Sequence, residues 1–96
     1  MLKILTVCGA GLGSSFACQM SVEAVLKNLG VTATLDHTDI SSVAAQTADI
    51  IISGKNFEKQ FERITVHCPT VFLDRLVDKN EITEKLTPIL KELGAL

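Results

Sequence analysis

The stretch Leu2 to Ser15, LKILTVCGAGLGSS, determines how the chain begins to fold. Its first six residues are mostly apolar and β-branched, a pattern typical of a parallel strand that is covered on both faces. Cys8 therefore stands at the carboxyl end of the predicted strand. Three glycines alternate with other residues after it: Gly9, Gly11 and Gly13. Glycine permits the positive φ angles of a turn whose N–H groups face inward, so the sequence predicts an anion-binding turn that leads into a helix at Ser14.

The predicted helix start gives Cys8 a chemical role. Unpaired N–H donors and the positive end of the helix dipole would surround an anion placed there, and the same field favours thiolate over thiol. We therefore predict a nucleophilic Cys8 with a lowered pKa, in contrast to a cysteine that serves only as a small apolar side chain. The predicted phosphate-binding loop comprises Gly9, Ala10, Gly11, Leu12, Gly13, Ser14 and Ser15.

Several classes of phosphate-binding protein share parts of this pattern. The turn lacks the Gly-Lys-Ser/Thr of a Walker A loop, and Ser14 stands where a dinucleotide fingerprint has its last glycine. The spacing nearly matches the Cys-x5-Arg-Ser/Thr loop of low-molecular-weight cysteine phosphatases, but Ser14 replaces the arginine that would stabilise the phosphoryl transition state. Such a loop suits a carrier that holds a phosphoryl group without hydrolysing it quickly. A cysteine phosphatase and a thiol-redox protein remain the alternatives.

The segment CGAGLGSS, residues 8–15, placed after a short strand, resembles the IIB component of the phosphoenolpyruvate-dependent sugar phosphotransferase system. The chain is most similar to the ascorbate-type IIB proteins of the lactose/cellobiose-like superfamily, in length and in the order of its elements. The resemblance implies that Cys8 accepts a phosphoryl group from a phosphohistidine on a IIA protein or domain. It also implies that Cys8 passes this group to a sugar, expected to be ascorbate-like, that a membrane IIC transporter binds. Residues 9–15 would then form the loop around the phosphate. No metal or other cofactor is expected.

Composition is consistent with a single cytoplasmic domain over residues 1–96. The chain is 47% hydrophobic, lacks Trp and Tyr, and has a net charge of −2, with no basic run that would favour nucleic acid. No apolar run approaches the ~20 residues of a membrane span, and no signal segment follows Met1. The three cysteines have no C-x-x-C or metal-site spacing, which argues against a disulfide framework, a redox pair and a zinc site.

Apolar periodicity predicts four strands that alternate with four helices. The strands are predicted at 2–7, 31–38, 50–52 and 70–73, and the helices at 14–29, 43–46, 55–63 and from Asp78 to about Leu93. Short connections between alternating elements imply parallel pairing, hence a three-layer, doubly wound α/β fold. The family resemblance implies the strand order 2-1-3-4, in which the Cys8 loop stands where such a sheet opens a crevice.

The first helix is predicted to have a buried and an exposed face. The buried stripe consists of Cys18, Val22, Val25, Leu26 and Leu29, which makes Cys18 a core residue. Phe16 and Met20 lie on the opposite side and are predicted to be exposed, as a docking surface for a partner.

Other candidate residues lie later in the chain. Cys68 is predicted to be structural. His37 lies in the polar end of the second predicted strand and Arg75 follows the fourth, so each could reach the site or simply be solvated. Asp78 and Glu81 resemble a capping box at the start of the last helix, whose predicted buried stripe is Ile82, Leu86, Ile89, Leu90 and Leu93.

Overall fold

A computed structural model describes residues 2–8, 12–40, 42–64, 66, 68–75 and 77–96, with the backbone alone for Cys8, residues 12–15 and Ala44. The strands are β1 (Leu2–Cys8), β2 (Ala33–Asp39), β3 (Ile50–Gly54) and β4 (Thr70–Leu73). The α-helices are α1 (Leu12–Leu29), α2 (Glu58–Phe61) and α3 (Lys79–Glu92), and two short 3₁₀ helices span Val43–Ala45 and Lys55–Phe57.

The four strands form one parallel sheet in the order β2-β1-β3-β4. In the register, Leu2 pairs with Ala33 and Cys8 with Asp39 along β2, while Val7 pairs with Ser53 along β3. The predicted parallel fold and strand order are confirmed. Because the two central strands are covered on both faces, their sequences are nearly continuous apolar runs.

Two aliphatic clusters cover the two faces of the sheet. One cluster places Ile4, Ile50 and Ile52 against α1 and α3, and Cys18 is buried within it. The other combines Leu5, Val7 and Ile51 with Val43 and Phe61. The sheet is thus the middle of three layers, as predicted. In α3 the stripe is buried at Ile82, Leu86 and Leu90, but Leu93 is exposed, which corrects the prediction for that residue.

The ends of α1 and β2 differ from the predicted boundaries. Helix α1 begins at Leu12, two residues before the predicted start at Ser14. At its other end Gly30 adopts a φ of 73°, and the Val31 N–H donates to the Leu26 carbonyl at 2.9 Å. This Schellman-type cap uses the Val31 N–H, so β2 begins at Ala33 instead of Val31.

The segment predicted as one helix over 55–63 is divided in two. Residues Lys55–Phe57 form a 3₁₀ helix and residues Glu58–Phe61 form α2. The predicted short helix at 43–46 is a 3₁₀ helix over Val43–Ala45. The 3₁₀ helix over Val43–Ala45 places Val43 in the core, and α2 places Phe61 there.

Candidate functional site

The candidate site lies at the carboxyl edge of the sheet, where β1 ends at Cys8. The Cys8 backbone pairs with Asp39 at the end of β2, and the neighbouring strand β3 ends at Gly54. Four residues of the predicted phosphate-binding loop, residues 12–15, form the first turn of α1. The other three, Gly9, Ala10 and Gly11, lie outside the described residues.

The chain itself limits how far α1 can begin from Cys8. Four residues of extended chain span at most ~14 Å, so the amino terminus of α1 lies close to the end of β1. The first turn of α1 contains no acidic residue, so no carboxylate of its own competes for its unpaired N–H groups. The backbone therefore combines a cysteine at a strand end with a helix start that can bind an anion.

A carboxylate anchors the loop between β4 and α3 at the same edge. Glu81 accepts hydrogen bonds from the backbone N–H groups of Asp74 at 2.7 Å and Arg75 at 2.9 Å. Lys85 Nζ donates to Glu81 at 2.7 Å and to the Phe72 carbonyl at 2.6 Å. Burial raises the pKa of Glu81, but the bonds from Lys85 and the two backbone N–H groups outweigh it and lower the pKa to about 2.

The predicted capping box at α3 forms only in part. The Asp78 side chain caps the helix by accepting from the N–H groups of Asn80 and Glu81. The Asp78 N–H, however, donates to the Arg75 carbonyl at 3.3 Å, and the Glu81 carboxylate turns to the preceding loop. Sequence spacing identified the cap but missed the anchoring role of Glu81, because the same Asp-x-x-Glu pattern serves both arrangements.

Arg75 and His37, whose role in the site the sequence does not decide, are both exposed. Arg75 is exposed in the loop that Glu81 anchors, next to Asp74, which forms an ion pair with Lys55 at 3.8 Å. His37 is exposed on β2, and its Nδ1 lies 2.9 Å from Oε1 of Gln19 on α1. The structure thus places both residues near the carboxyl edge; the Cys8 side chain, which either would have to reach, lies outside the described part of the chain.

The outward face of α1 carries two exposed apolar side chains. Phe16 is 56% exposed and Met20 is 57% exposed, as the helical spacing predicts. The Gln19–His37 contact joins this part of α1 to the edge strand β2. An apolar pair of this size on the surface, rimmed by polar groups, is typical of an interaction site.

The other two cysteines lie away from this edge. Cys18 is buried between α1 and the sheet. Cys68 precedes β4 at the amino edge, roughly 15 Å or more from the carboxyl edge at ~3.3 Å per strand residue. Burial, and then the charge of Asp49, raise the pKa of the Cys68 thiol, which makes it a poor nucleophile. These placements agree with the structural roles predicted for both residues.

No helix in the described part of the chain is long and apolar enough to span a membrane.

Comparisons with known proteins agree with the fold. The family model described as "PTS system, Lactose/Cellobiose specific IIB subunit" matches residues 3–88. The ascorbate-specific PTS system EIIB component of Mycoplasma pneumoniae is 32% identical over 91 residues, which cover 93% of this chain and 95% of that protein. The lactose-specific IIB domain of Streptococcus pneumoniae superposes with a TM-score of 0.56, covering 94% and 95% of the two chains; at 16% identity this likeness concerns the fold. The chain belongs to the lactose/cellobiose-type IIB family of the sugar phosphotransferase system.

Proposed function

We propose that this chain carries phosphoryl groups on Cys8, between a IIA phosphodonor and a sugar bound by a membrane IIC transporter. IIB proteins act as phosphotransferases and work with IIA and IIC partners. The observation that supports Cys8 as the carrier residue is its place at the end of β1, four positions before α1 begins. Gly9, Ala10, Gly11, Leu12, Gly13, Ser14 and Ser15 would bind the phosphoryl oxygens.

The proposed transfer consists of two displacements at phosphorus. The Cys8 thiolate attacks the phosphorus of the donor phosphohistidine, so that an S–P bond forms and the N–P bond breaks, and the electron pair returns to the imidazole nitrogen. A sugar hydroxyl then attacks the thiophosphate, forming an O–P bond and releasing the Cys8 thiolate, while the hydroxyl proton passes to a base on the partner or to solvent. Neither step requires a metal or another cofactor of this chain.

Helix α1 supports the first step electrostatically. Its unpaired N–H groups and positive dipole end stabilise both the thiolate before attack and the phosphoryl oxygens after it. The site lacks the arginine of the phosphatase loop, since Ser14 occupies that position. A bound phosphoryl group is therefore held without the fixed cation that would speed its hydrolysis.

We further propose that Phe16 and Met20 form the docking surface for the IIA donor. They are exposed on the first turns of α1, the helix that begins beside Cys8. A surface that receives two partners in turn suits a flexible methionine, which adapts to different shapes. The expected sugar is ascorbate or a close analogue, because the relative from Mycoplasma pneumoniae is an ascorbate-specific component. The expected location is the cytoplasm, in keeping with the family.

The test is phosphoryl acceptance by the wild type and by Cys8→Ser. Each is incubated with a phosphorylated IIA protein of an ascorbate-type system and examined by intact-protein mass spectrometry. The wild type should gain one phosphoryl group, and the variant should gain none, since a serine hydroxyl is not ionised near neutral pH. A normal adduct on Cys8→Ser would reject the assignment.

A second assay separates a carrier from the alternative, a cysteine phosphatase. Purified protein is incubated with a small aryl phosphate, and release of the phenol is followed over many enzyme equivalents. A carrier should show negligible turnover. Sustained, Cys8-dependent turnover would favour the phosphatase.

A further inference from the structure

Strand β3 contains a buried serine, Ser53, at a core position that an aliphatic residue would normally occupy. Ser53 follows three isoleucines and is 0% exposed. Its Oγ donates a hydrogen bond to the Val7 carbonyl at 2.8 Å. A buried hydroxyl without a partner is destabilising, so this bond makes the serine tolerable in the core.

The Val7 carbonyl belongs to the peptide bond that leads into Cys8. The β1–β3 register runs from Ile4 to Val7, which faces Ser53, and Cys8 lies one residue beyond that last pair. On its other side Cys8 pairs with Asp39 of β2. Because the atoms of a peptide unit are coplanar, a bond that fixes the Val7 carbonyl also fixes the nitrogen and Cα of Cys8.

A second buried hydroxyl in the sheet provides the matched comparison. Thr6 is also 0% exposed, and its Oγ1 donates to the Asp36 carbonyl at 3.2 Å, across the β1–β2 boundary. Both bonds join neighbouring strands through a hydroxyl and a backbone carbonyl. Only the Ser53 bond ends on the peptide of Cys8, so a general contribution to the sheet and a specific effect on Cys8 can be separated.

We propose that Ser53 is a positioning residue for Cys8. Its hydroxyl holds the Val7–Cys8 peptide at the end of β1, and with it the backbone atoms from which the Cys8 side chain extends. An in-line displacement depends steeply on such placement, with about 100-fold in rate for a shift of 1 Å. The inference rests on the proposed function and adds a residue outside the loop to the same site.

The test measures phosphoryl acceptance in a Cys68→Ala background for Ser53→Ala and Thr6→Val. With a phosphorylated ascorbate-type IIA as donor, Ser53→Ala should lower the maximal rate about tenfold and leave the donor concentration at half-maximal rate unchanged. Thr6→Val should stay within about twofold of the background protein, although it also loses a buried bond. Equal effects of the two substitutions would overturn the inference.

A size-matched pair keeps the test decisive if Ser53→Ala does not fold. Ser53→Thr and Ser53→Val introduce side chains of equal size, of which only threonine keeps the hydroxyl. Ser53→Thr should accept the phosphoryl group several-fold faster than Ser53→Val, and equal rates in the two variants would contradict the positioning role.

Alkylation of Cys8 by iodoacetamide gives a readout that does not need the donor. In Ser53→Ala the pH profile of alkylation should move to higher pH, because a less restrained thiolate spends less time beside the helix start. If the background protein accepts no phosphoryl group, the proposed function fails, and this profile still decides the role of Ser53. An unchanged profile would reject it.

Discussion

At the scale of single residues, position in the fold separates three cysteines that look alike in the sequence. Cys18 is buried in the core, Cys68 lies at the amino edge, and Cys8 ends β1 at the carboxyl edge. Helical periodicity correctly predicted Cys18 as core. The raised pKa of Cys68 could not be predicted, because it depends on burial and on Asp49, which is distant in sequence.

The reactivity of Cys68 should depend on pH in a defined way. In a Cys8→Ser background, Cys68 should be alkylated by iodoacetamide more slowly near pH 7 than an unhindered thiol, because its raised pKa leaves less thiolate. Asp49→Asn should move the profile to lower pH only in part, since burial is the larger cause. The asparagine can still accept the bond that Asp49 now receives from the Lys3 N–H. The exposed Glu62→Gln serves as the control, and an equal shift in both variants would contradict this account.

At the scale of elements, the carboxylate of Glu81 joins the loop after β4 to α3. The pKa of Glu81 falls from 4.5 to about 2 in the folded protein, so its contribution to stability is fully present above pH 4.5. This contribution is lost as the pH falls toward 2, where the Glu81 carboxylate becomes protonated in the folded protein as well as in the unfolded one.

Glu81→Gln should therefore destabilise the protein in a pH-dependent manner. Near pH 7 the loss should be about 1–2 kcal/mol in the free energy of unfolding, because an amide cannot replace all the bonds of the carboxylate. The difference between the variant and the wild type in the free energy of unfolding should decrease from pH 4.5 to pH 2, as measured by urea unfolding at several pH values. Glu84→Gln, an exposed change on the same helix, is the control. A gap that is constant with pH would show that the charge of Glu81 is not responsible.

At the scale of the whole molecule, the sheet and the site follow from the sequence to different degrees. Apolar runs predicted the central strands β1 and β3, since burial on both faces requires that composition, and another apolar run predicted β4. The edge strand β2 was predicted from its Thr/Val content and alternation. The helix start at Leu12 was missed because glycine and serine favour both turns and first helical turns. The Ser53–Val7 bond joins residues 46 apart, and nothing local in the sequence indicates it.

Both partners of the carrier would meet the edge of the molecule where Cys8 lies, so the exposed pair on α1 can be tested for docking. Phe16→Ala combined with Met20→Ala should weaken transfer from the IIA donor at least tenfold, about 1.4 kcal/mol of binding. The melting temperature should change little, because both side chains are more than half exposed. The control is Leu93→Ala with Leu96→Ala, an exposed apolar pair at and beyond the carboxyl end of α3. If the melting temperature of the double variant falls by several degrees while transfer stays normal, Phe16 and Met20 have a structural role instead.

The central claim is that the phosphoryl group is held on Cys8, and a variant with no other cysteine tests it most directly. Cys18→Ala with Cys68→Ala leaves Cys8 as the only thiol of the chain, at a cost on the order of 1 kcal/mol from the buried position. After incubation with phosphorylated IIA, fragment-ion mass spectrometry locates the adduct. We predict one phosphoryl group per chain, on Cys8. A folded variant that gains none, or an adduct on His37 or another residue, would contradict the account.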